Sequence, residues 1–429
     1  MILAMGKNSM SNSIFKKISL IPGLGDIAAR LEAARCLACF DSPCQKSCPA
    51  SIPIPDFIRS INSGNVRHAA KIIRQANPIA AICGTICPEE IFCQSHCTRG
   101  KIDEPIKIRE LHGYATNFEI TSSNTETRTK GRVAVIGSGP AGLTCASRLA
   151  EAGIKVVIYE QSEHPGGVPA GSIPNFRLAD EIINFDLQYI NQPGVKIVTN
   201  SRIDNPEKLL KDFDAVFIAT GLAKNRQTNI PGEDLHEVTT ALRFLEDARS
   251  GKLRSIQSKK IVIIGGGNVS LDVAALAMNE GAKEVRLLYR RGPKEMKIWR
   301  SELDEAQSRG VIIDFLTSPL EFVAKSGKLN AIKCIRMRLT DESDSSGRRI
   351  PEPIPGTECV MPADIAITAI GLTSEYKKEI TINDDLSTSV AGIFTGGDWA
   401  RGEGTIVESV RDGKLAALSI QKYLKDKLS

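Results

Sequence analysis

The sequence has no apolar segment that approaches the length of a membrane span, although 42% of its 429 residues are hydrophobic. It also has no dense run of lysine and arginine with interleaved aromatic residues, and its net charge of +5 is mild for this size. Neither a membrane nor a nucleic acid is therefore a predicted partner. The N-terminus has only a short apolar start, without the hydrophobic stretch and cleavage site of a secretory signal. These absences predict a cytoplasmic protein, and the length allows about three domains.

Cysteine is scarce outside one region, because eight of the eleven cysteines lie between Cys36 and Cys97. A disulfide framework would be atypical of one short region in a long intracellular chain, so metal binding is the better interpretation. Structural zinc is one alternative, but paired zinc sites more often have CxxC in both halves, and the second half here has none. The two groups read Cys36-x2-Cys39-x4-Cys44-x3-Cys48-Pro49 and Cys83-x3-Cys87-Pro88-x4-Cys93-x3-Cys97. The first resembles bacterial ferredoxin runs, in which the last cysteine binds the other cluster, and we predict two 4Fe–4S clusters.

The residues around these cysteines predict helices rather than strands. Asp26 can cap a helix that runs through Arg35, and further helices are predicted at 55–61 and 66–75. A thioredoxin-like redox role for the CxxC pair would require a surrounding βαβ pattern, which this region lacks. The polar, aperiodic segment from Thr121 to Lys130 is then typical of a linker.

A complete dinucleotide-binding fingerprint follows the linker. An apolar run at 133–136 predicts a buried strand, GSGPAG supplies GxGxxG, and an Ala- and Leu-rich helix follows. Gly137 permits the tight turn, Gly139 lets the backbone approach a pyrophosphate, and Gly142 lets helix and strand pack closely. Glu160 ends the second predicted strand, where a carboxylate accepts hydrogen bonds from ribose hydroxyls and repels a 2′-phosphate. FAD or NAD therefore fits this site and NADP does not. An ordinary glycine-rich turn is the alternative, which the strand, helix and acid together disfavour.

Later segments are predicted to line the same cofactor. The IPNFRL loop can run along it, and a strand at 215–219 leads into a glycine. Near the C-terminus, GGD after an apolar strand places a carboxylate near the sugar-alcohol chain of a cofactor, and a helix starting near Thr405 can direct its dipole at a reduced flavin. The residues predicted to bind this cofactor are Gly137, Gly139, Pro140, Ala141, Gly142, Glu160, Gly167, Arg177, Gly221, Gly397, Asp398 and Thr405.

A second fingerprint begins at Lys260, where a strand leads into GxGxxS and a helix through Met278. Ser270 replaces the third glycine and is small enough for helix–strand contact. The second strand, at 284–289, runs into two arginines, and no acid stands at its end. This favours a nucleotide with a 2′-phosphate, hence NADPH with NADH possible, although a solvated basic turn is the alternative. The residues predicted to bind it are Gly265, Gly267, Asn268, Arg290, Arg291 and Lys297.

From about Arg35 to the C-terminus, the chain resembles the electron-input half of dihydropyrimidine dehydrogenases and its bacterial stand-alone subunit. It is more distantly similar to the glutamate synthase small subunit. The segments that carry the resemblance are RCLACFDSPCQKSCPA, ICGTICPEEIFCQSHCTRG, VAVIGSGPAGL, IPNFRL, IVIIGGGNVSLDVA and TGGDWARGEGTIVESVRDGK.

The resemblance also implies a ligand set that is shared across the two cysteine groups. In that family a non-cysteine residue, typically Gln or Glu, completes the second cluster; here that position is His112, and Cys83 is the alternative. The implied ligands are Cys36, Cys39, Cys44 and Cys97 for one cluster, and Cys48, Cys87, Cys93 and His112 for the other.

These observations predict an α/β protein in which an all-helical iron–sulfur domain precedes two Rossmann-like dinucleotide-binding domains. The predicted boundaries are 1–125 for the cluster domain, 131–238 with 369–429 for a discontinuous FAD domain, and 239–368 for the inserted NAD(P)H domain. No side chain is predicted to be catalytic, and no domain remains for an organic substrate. The resemblance implies an NAD(P)H oxidoreductase that serves an FMN-containing pyrimidine-reducing partner. The alternatives are the glutamate synthase small subunit with its large subunit, and a non-catalytic scaffold that holds the cofactors.

Overall fold

The computed structural model describes residues 24–118, 131–298, 300–374 and 380–428, so the predicted linker lies outside the described residues. Across these ranges, no helix combines the length and apolarity needed to cross a membrane. The chain forms two compact units. The first contains the described residues up to 167, from 178 to 221 and from 380 onward; the second contains 168–177 and the described residues from 222 to 374.

The cysteine-rich region is helical, as predicted, and residues 24–118 contain no strand. Buried residues of the third helix, such as Phe57, Ile58 and Ile61, recur at helical spacing and explain why it packs on one face. Gly25 occupies the N-cap position of the first helix, and Asp26, which was predicted to cap it, is instead its first residue. The helices are α1 (Asp26–Ala34), α2 (Pro43–Lys46), α3 (Ile54–Asn62), α4 (Val66–Ala76), α5 (Ala80–Ile86) and α6 (Ile108–Thr116), with 3-10 turns at Glu89–Ile91 and Thr98–Lys101.

The rest of the first unit is built on a parallel sheet. Val133, Ala134 and Val135 are fully buried, as expected for a strand that is covered on both faces. The elements are β1 (Arg132–Ile136), α7 (Pro140–Glu151), β2 (Lys155–Tyr159), α9 (Asp180–Ile190), β3 (Val195–Val198), β4 (Ala215–Ile218), β16 (Ile393–Thr395), α13 (Asp398–Arg401) and α14 (Ile406–Leu428). Their order in the sheet is β16-β4-β1-β2-β3, so the chain returns to its first sheet after the second unit.

The second unit combines a parallel and an antiparallel sheet. Its elements are α8 (Val168–Gly171), β5 (Lys224–Asn225), β6 (Val238–Thr240), α10 (Ala241–Arg249), β7 (Lys260–Ile264), α11 (Asn268–Asn279), β8 (Glu284–Tyr289), α12 (Arg300–Ser308), β9 (Ile312–Phe315), β10 (Thr317–Lys325), β11 (Lys328–Ser343), β12 (Arg349–Pro353), β13 (Cys359–Pro362), β14 (Ile365–Thr368) and β15 (Leu372–Thr373). The parallel sheet has the order β6-β14-β7-β8-β9. Strands β10 to β13 pair antiparallel beside it and were not predicted from the sequence.

The unit boundaries differ from the predicted domain boundaries at 238/239 and 368/369. The chain enters the second unit after residue 221 because the short strands β5 and β15 pair with each other. Strand β6 then joins the second sheet beside β14. The N–H of Phe322 also donates to the carbonyl oxygen of Pro231 at 2.9 Å, which fixes the entering segment to the antiparallel sheet.

Candidate functional site

The loop between β1 and α7 has the geometry that its glycines predict. Gly137 has a φ of 98°, and a Cβ there would lie 2.5 Å from the carbonyl oxygen of Ala219. A Cβ on Gly142 would lie 2.0 Å from the carbonyl oxygen of Gly137, so only glycine allows this close approach of helix and strand. A Cβ on Gly139, in contrast, would meet no atom within 4 Å. Gly139 therefore borders open space at the N-terminus of α7, where Pro140 is the first helical residue.

Glu160 connects this loop to the next one. The carboxylate is 6% exposed, and its Oε2 accepts hydrogen bonds from the N–H and hydroxyl of Ser138 at 2.9 and 2.6 Å. Its Oε1 accepts from the N–H of Ser162 at 2.9 Å. The Ser138 hydroxyl also accepts from the N–H of Gly166 at 3.0 Å. Because a carboxylate has about four acceptor positions and three are used here, Glu160 keeps capacity for a ribose hydroxyl.

The segment after β16 approaches the same end of α7. The N–H of Gly397 donates to Asp412 Oδ2 at 2.9 Å, and a Cβ on Gly397 would lie 3.1 Å from the Cβ of Ala141. Burial raises the pKa of Asp398 to about 6, although the guanidinium of Arg401 opposes this shift. Arg401 is itself paired with Asp412. The structure thus places Gly397 and the partly buried Asp398 beside the first glycine loop.

Helix α14 begins with a capping box next to this segment. The N–H and hydroxyl of Thr405 donate to Glu408 Oε2 at 2.8 and 2.9 Å, and the N–H of Glu408 donates back to Thr405 Oγ1 at 3.3 Å. The predicted helix start near Thr405 is therefore confirmed. Whether its dipole acts on a flavin stays a prediction.

The second glycine loop repeats the arrangement between β7 and α11. A Cβ on Gly265 would lie 2.2 Å from the carbonyl oxygen of Ala369 and 2.9 Å from the Ser270 hydroxyl oxygen. A Cβ on Gly267 would meet no atom within 4 Å, and Asn268 begins the helix. Both fingerprints therefore leave open space at the glycine that precedes a helix, where a phosphate would be bound by N–H groups.

The two predicted arginines after β8 have different environments. Arg291 is 4% exposed, and its Nη2 lies 2.6 Å from Asp344 Oδ2 while its Nε donates to the carbonyl oxygen of Arg349 at 2.9 Å. Arg290 as a whole residue is exposed. The partial burial of its guanidinium, together with the charges of Arg291 and Arg348, lowers its pKa. The positive charge available to an anion therefore lies at Arg290, whereas Arg291 is held in its own ion pair.

Lys297, Arg177 and Gly221 complete the placement of the predicted nucleotide contacts. Lys297 forms a parallel bridge with Gly267 and so lies beside the second glycine loop. Gly221 follows β4, and a Cβ on it would meet no atom within 4 Å. Arg177 was predicted to bind the first cofactor as part of a loop that runs along it, and that contact stays a prediction. The residue belongs to the second unit. Its guanidinium pairs there with Asp272 of α11 and Glu302 of α12, because two partly buried carboxylates face it.

All eleven cysteines are free thiols, and those of the helical region affect one another's pKa values. Burial raises the pKa of Cys44 to about 12, and the neighbouring thiols of Cys36 and Cys97 raise it further. Burial also raises the pKa of Cys36, with contributions from Cys97 and Cys39. We call these four residues the first thiol group. These are the four residues that the resemblance implied as ligands of one cluster, and that assignment stays a prediction.

The remaining thiols of this region form the second thiol group, defined as Cys48, Cys83, Cys87 and Cys93. Burial raises the pKa of Cys87 well above its usual value, and Cys83, Cys93 and Cys48 all add to the shift. Within the described ranges, no three His, Cys, Asp or Glu side chains converge as ligands of a single metal ion. Cys44 of the first thiol group also adds to the raised pKa of Cys93, so the electrostatic interactions cross from one group to the other.

The two candidates for the eighth ligand are Cys83 on α5 and His112 on α6. Cys83 is 2% exposed and interacts with Cys48 and Cys87. His112 is buried beside Gly84, and its Nε2 has no hydrogen-bond partner among the described residues. Burial lowers the pKa of His112 to about 4, so the ring is neutral and able to bind a metal. The assignment of the eighth ligand stays a prediction.

Sequence reasoning missed two residues that organise these sites. Ser138 lies inside the GxGxxG motif, and its hydroxyl donates to the acid that follows β2, so its position in the motif was a usable signal. Asp412 accepts a hydrogen bond from Gly397 and pairs with Arg401, but no motif singles it out.

The donor chemistry fits the groups that the sequence predicts. Thiols whose pKa values are raised by burial and by one another are costly to ionise alone, and bound iron would supply the compensating positive charge. The open space at Gly139 and Gly267 fits pyrophosphates, since backbone N–H groups at helix N-termini bind anions.

A thiol-rich helical region followed by two dinucleotide folds defines an iron–sulfur flavoprotein oxidoreductase that uses NAD(P)H. Comparison with known proteins agrees. The family model described as pyridine nucleotide-disulphide oxidoreductase matches residues 131–413, and the chain belongs to this family. The model described as dihydropyrimidine dehydrogenase domain II, 4Fe-4S cluster, matches residues 14–124.

Relatives from several enzymes share this architecture and confirm the resemblance. The chain is 34% identical over 422 residues to the NAD-dependent dihydropyrimidine dehydrogenase subunit PreT of Escherichia coli, which covers 95% of this chain and 97% of that protein. It is 30% identical over 433 residues to the Escherichia coli glutamate synthase (NADPH) small chain, with 92% of each covered. It is 37% identical over 427 residues to the NADP(+)-dependent formate dehydrogenase subunit beta of Moorella thermoacetica, but spans only 60% of that protein's length.

Solved structures share the fold of the two nucleotide-binding regions. Mycobacterium tuberculosis FprA in complex with NADPH aligns with a TM-score of 0.60 at 20% identity, covering 69% of this chain and 85% of that protein. Lactococcus lactis thioredoxin reductase aligns with a TM-score of 0.53 at 19% identity, covering 69% of this chain and 99% of that protein.

Proposed function

We propose that this chain takes electrons from NAD(P)H, with NADPH preferred and NADH possible. It delivers them, by way of FAD and two 4Fe–4S clusters, to a partner subunit that reduces uracil or thymine. FAD, when bound, accepts a hydride and releases electrons singly, which is the chemistry that iron–sulfur clusters carry onward. The observation that carries the proposal is the end-to-end match to the dihydropyrimidine dehydrogenase subunit, at 34% identity over 97% of that protein. The match extends over 95% of this chain, the length over which the three modules are predicted.

The roles of the protein side chains are binding and positioning. Glu160 and Ser138 fix the loop at which the FAD pyrophosphate would bind, and the open space at Gly139 leaves room for it. Arg290 would pair with the 2′-phosphate of NADPH, because it is the exposed cation at the end of β8. The first thiol group would hold one cluster, and Cys48, Cys87 and Cys93 with Cys83 or His112 the other.

The partner in this proposal is a separate catalytic subunit. The relatives are named as subunits or chains of larger enzymes, which supports a separate catalytic partner. Glutamate synthase is the second candidate, because its small chain also matches along 92% of its length. Family membership favours both over a non-catalytic scaffold.

The test is reconstitution with each candidate partner. The purified holoprotein is mixed with an FMN-containing pyrimidine dehydrogenase subunit or with a glutamate synthase large subunit and supplied with NADPH. Dihydrouracil formation that depends on both proteins is the expected result. Glutamate formation from glutamine and 2-oxoglutarate without dihydrouracil would assign the chain to the second candidate. No oxidation of NADPH with any acceptor, dyes included, would support the scaffold.

A further inference from the structure

Helix α5, which carries Cys83 and is followed by Cys87, is capped from outside the helical region. Its own N-cap residue, Ile79, makes no side-chain cap. Instead the carboxylate of Asp186, on helix α9, accepts hydrogen bonds from the N–H groups of Ala81 at 3.0 Å and Ile82 at 2.8 Å. The first N–H groups of a helix have no intrahelical partner, so this carboxylate satisfies two of them.

Asp186 is locked in place by a buried cation. It is 1% exposed and is paired with Arg74 of α4, which is 3% exposed. Arg74 also donates to the carbonyl oxygen of Pro78 at 2.6 Å, and its guanidinium lies over the ring of Tyr189, 4.7 Å from the centroid. A buried pair with these additional contacts is geometrically fixed, and removing one partner alone would leave an uncompensated charge.

A second contact reaches the other side of the second thiol group. Lys414 of α14 donates from Nζ to the carbonyl oxygen of Ala50 at 2.7 Å. Ala50 is fully buried and lies two residues after Cys48, which is 8% exposed. Helix α14 packs against α7 and against strands β4 and β16 of the parallel sheet, and α9 packs against α7 and α5. The first unit contains this sheet and the helical region.

We propose that Asp186 and Lys414 are positioning residues through which the helices of the FAD-binding region set the backbone that carries Cys48, Cys83 and Cys87. The assembly of the cluster at the second thiol group then depends on the folded FAD-binding region. The first thiol group does not depend on these two contacts, because neither residue hydrogen-bonds to α1, α2 or the loop at Cys97 among the contacts of the described residues. This inference rests on the proposed assignment of Cys48 and Cys87 as cluster ligands.

The test compares holoprotein variants for flavin per chain, iron per chain and the electron paramagnetic resonance spectrum after reduction with dithionite. The variants are Asp186→Asn, the apolar double variant Arg74→Met with Asp186→Leu, and Lys414→Met. The double variant removes both charges together and so avoids an unpaired buried charge. Matched controls are Glu181→Gln on α9 and Lys422→Met on α14, both at exposed positions.

The expected result is selective. The double variant should lose up to half of the iron and one of two cluster signals while keeping its flavin and the other signal. Asp186→Asn should lose less, because the amide oxygen still accepts one N–H group, and Lys414→Met should alter the same signal. Two intact signals in every variant would overturn the proposal, and so would loss of flavin and both signals together in every variant. A parent protein without two cluster signals would instead contradict the proposed function.

Discussion

At the scale of single residues, the two glycine loops show how a missing side chain makes a binding site. Gly142 cannot carry a Cβ, because that atom would lie 2.0 Å from the carbonyl oxygen of Gly137. Gly139 could carry one, since nothing lies within 4 Å of its position. The fold therefore requires glycine at position 142, whereas glycine at position 139 is required only when a cofactor occupies the open space.

Gly139→Val should consequently yield folded protein with little flavin. The added side chain enters the space that a pyrophosphate would occupy, and its Cβ meets no atom of the described residues within 4 Å. Flavin per chain, measured by absorbance after denaturation, should fall by most of its parent value while the far-ultraviolet circular dichroism is unchanged. Gly142→Val, which must displace backbone, is the control that should lose both. Full flavin occupancy in Gly139→Val would contradict the assignment of the site.

Arg290 should determine the preference for NADPH over NADH. Loss of one charge-assisted contact of ~1.5–3 kcal/mol corresponds to roughly tenfold or more in kcat/KM. Arg290→Ala should therefore reduce kcat/KM for NADPH by about this factor and leave NADH nearly unaffected. Arg291→Ala is the matched comparison. The Arg291 side chain is buried against Asp344, so its loss should lower the thermal stability of the protein and should not discriminate between the two nucleotides. A selective effect of Arg291 and none of Arg290 would reverse the assignment.

Asp398 should give the stability of the protein a pH dependence. Its pKa is raised to about 6, with burial as the main cause, so the folded state holds this proton more tightly than the unfolded chain does. The contribution of Asp398 to stability therefore falls as the pH rises through about 6. The Tm of Asp398→Asn, monitored by the release of flavin on unfolding, should therefore increase relative to the Tm of the parent protein as the pH rises from about 5 to about 8. The control is Asp385→Asn, whose carboxyl has a lowered pKa because the Ser387 hydroxyl donates to it, so its difference from the parent should stay constant.

At the scale of elements, the sequence predicted what long apolar runs and glycine spacing encode. Strands β1 and β7 are buried on both faces and show nearly continuous apolar runs, which made them visible in the sequence. Strands β10 to β13 stayed hidden, because one face of β11 is largely exposed and carries Lys, Arg and Asp residues. A half-exposed strand with this composition gives no strong signal of its own.

Contacts between distant segments were also beyond sequence reasoning. The basic pair after β8 was recognised from its position, but the pairing of Arg291 with Asp344 joins residues 53 positions apart. The cap on α5 comes from Asp186, more than 100 positions along the chain. No local pattern encodes such a partner, because the hydrogen-bonding need of a helix terminus can be met by any acceptor that the fold brings near.

At the scale of the whole molecule, the cysteine-rich helices and the FAD-binding sheet form one compact unit rather than two separate ones. Contacts such as Lys414 with Ala50, and Arg148 Nη2 with the carbonyl oxygen of Arg74 at 3.0 Å, join the two parts. A fixed arrangement of this kind suits electron transfer between cofactors, because it keeps their separation constant. The clusters and the flavin should therefore be lost or retained largely together when the whole unit unfolds.

Iron content is the most direct test of the two-cluster assignment. Two 4Fe–4S clusters correspond to about eight irons per chain, and anaerobically purified protein should approach this value with little zinc. Cys83→Ala and His112→Ala then distinguish the candidates for the eighth ligand: the true ligand variant should lose about half of the iron or convert one cluster signal, whereas the other should keep both. Cys83 interacts with Cys48 and Cys87, and His112 has an unpaired buried nitrogen, so each has a structural reason to be the ligand. Stoichiometric zinc with iron near zero would refute the cluster assignment at both thiol groups.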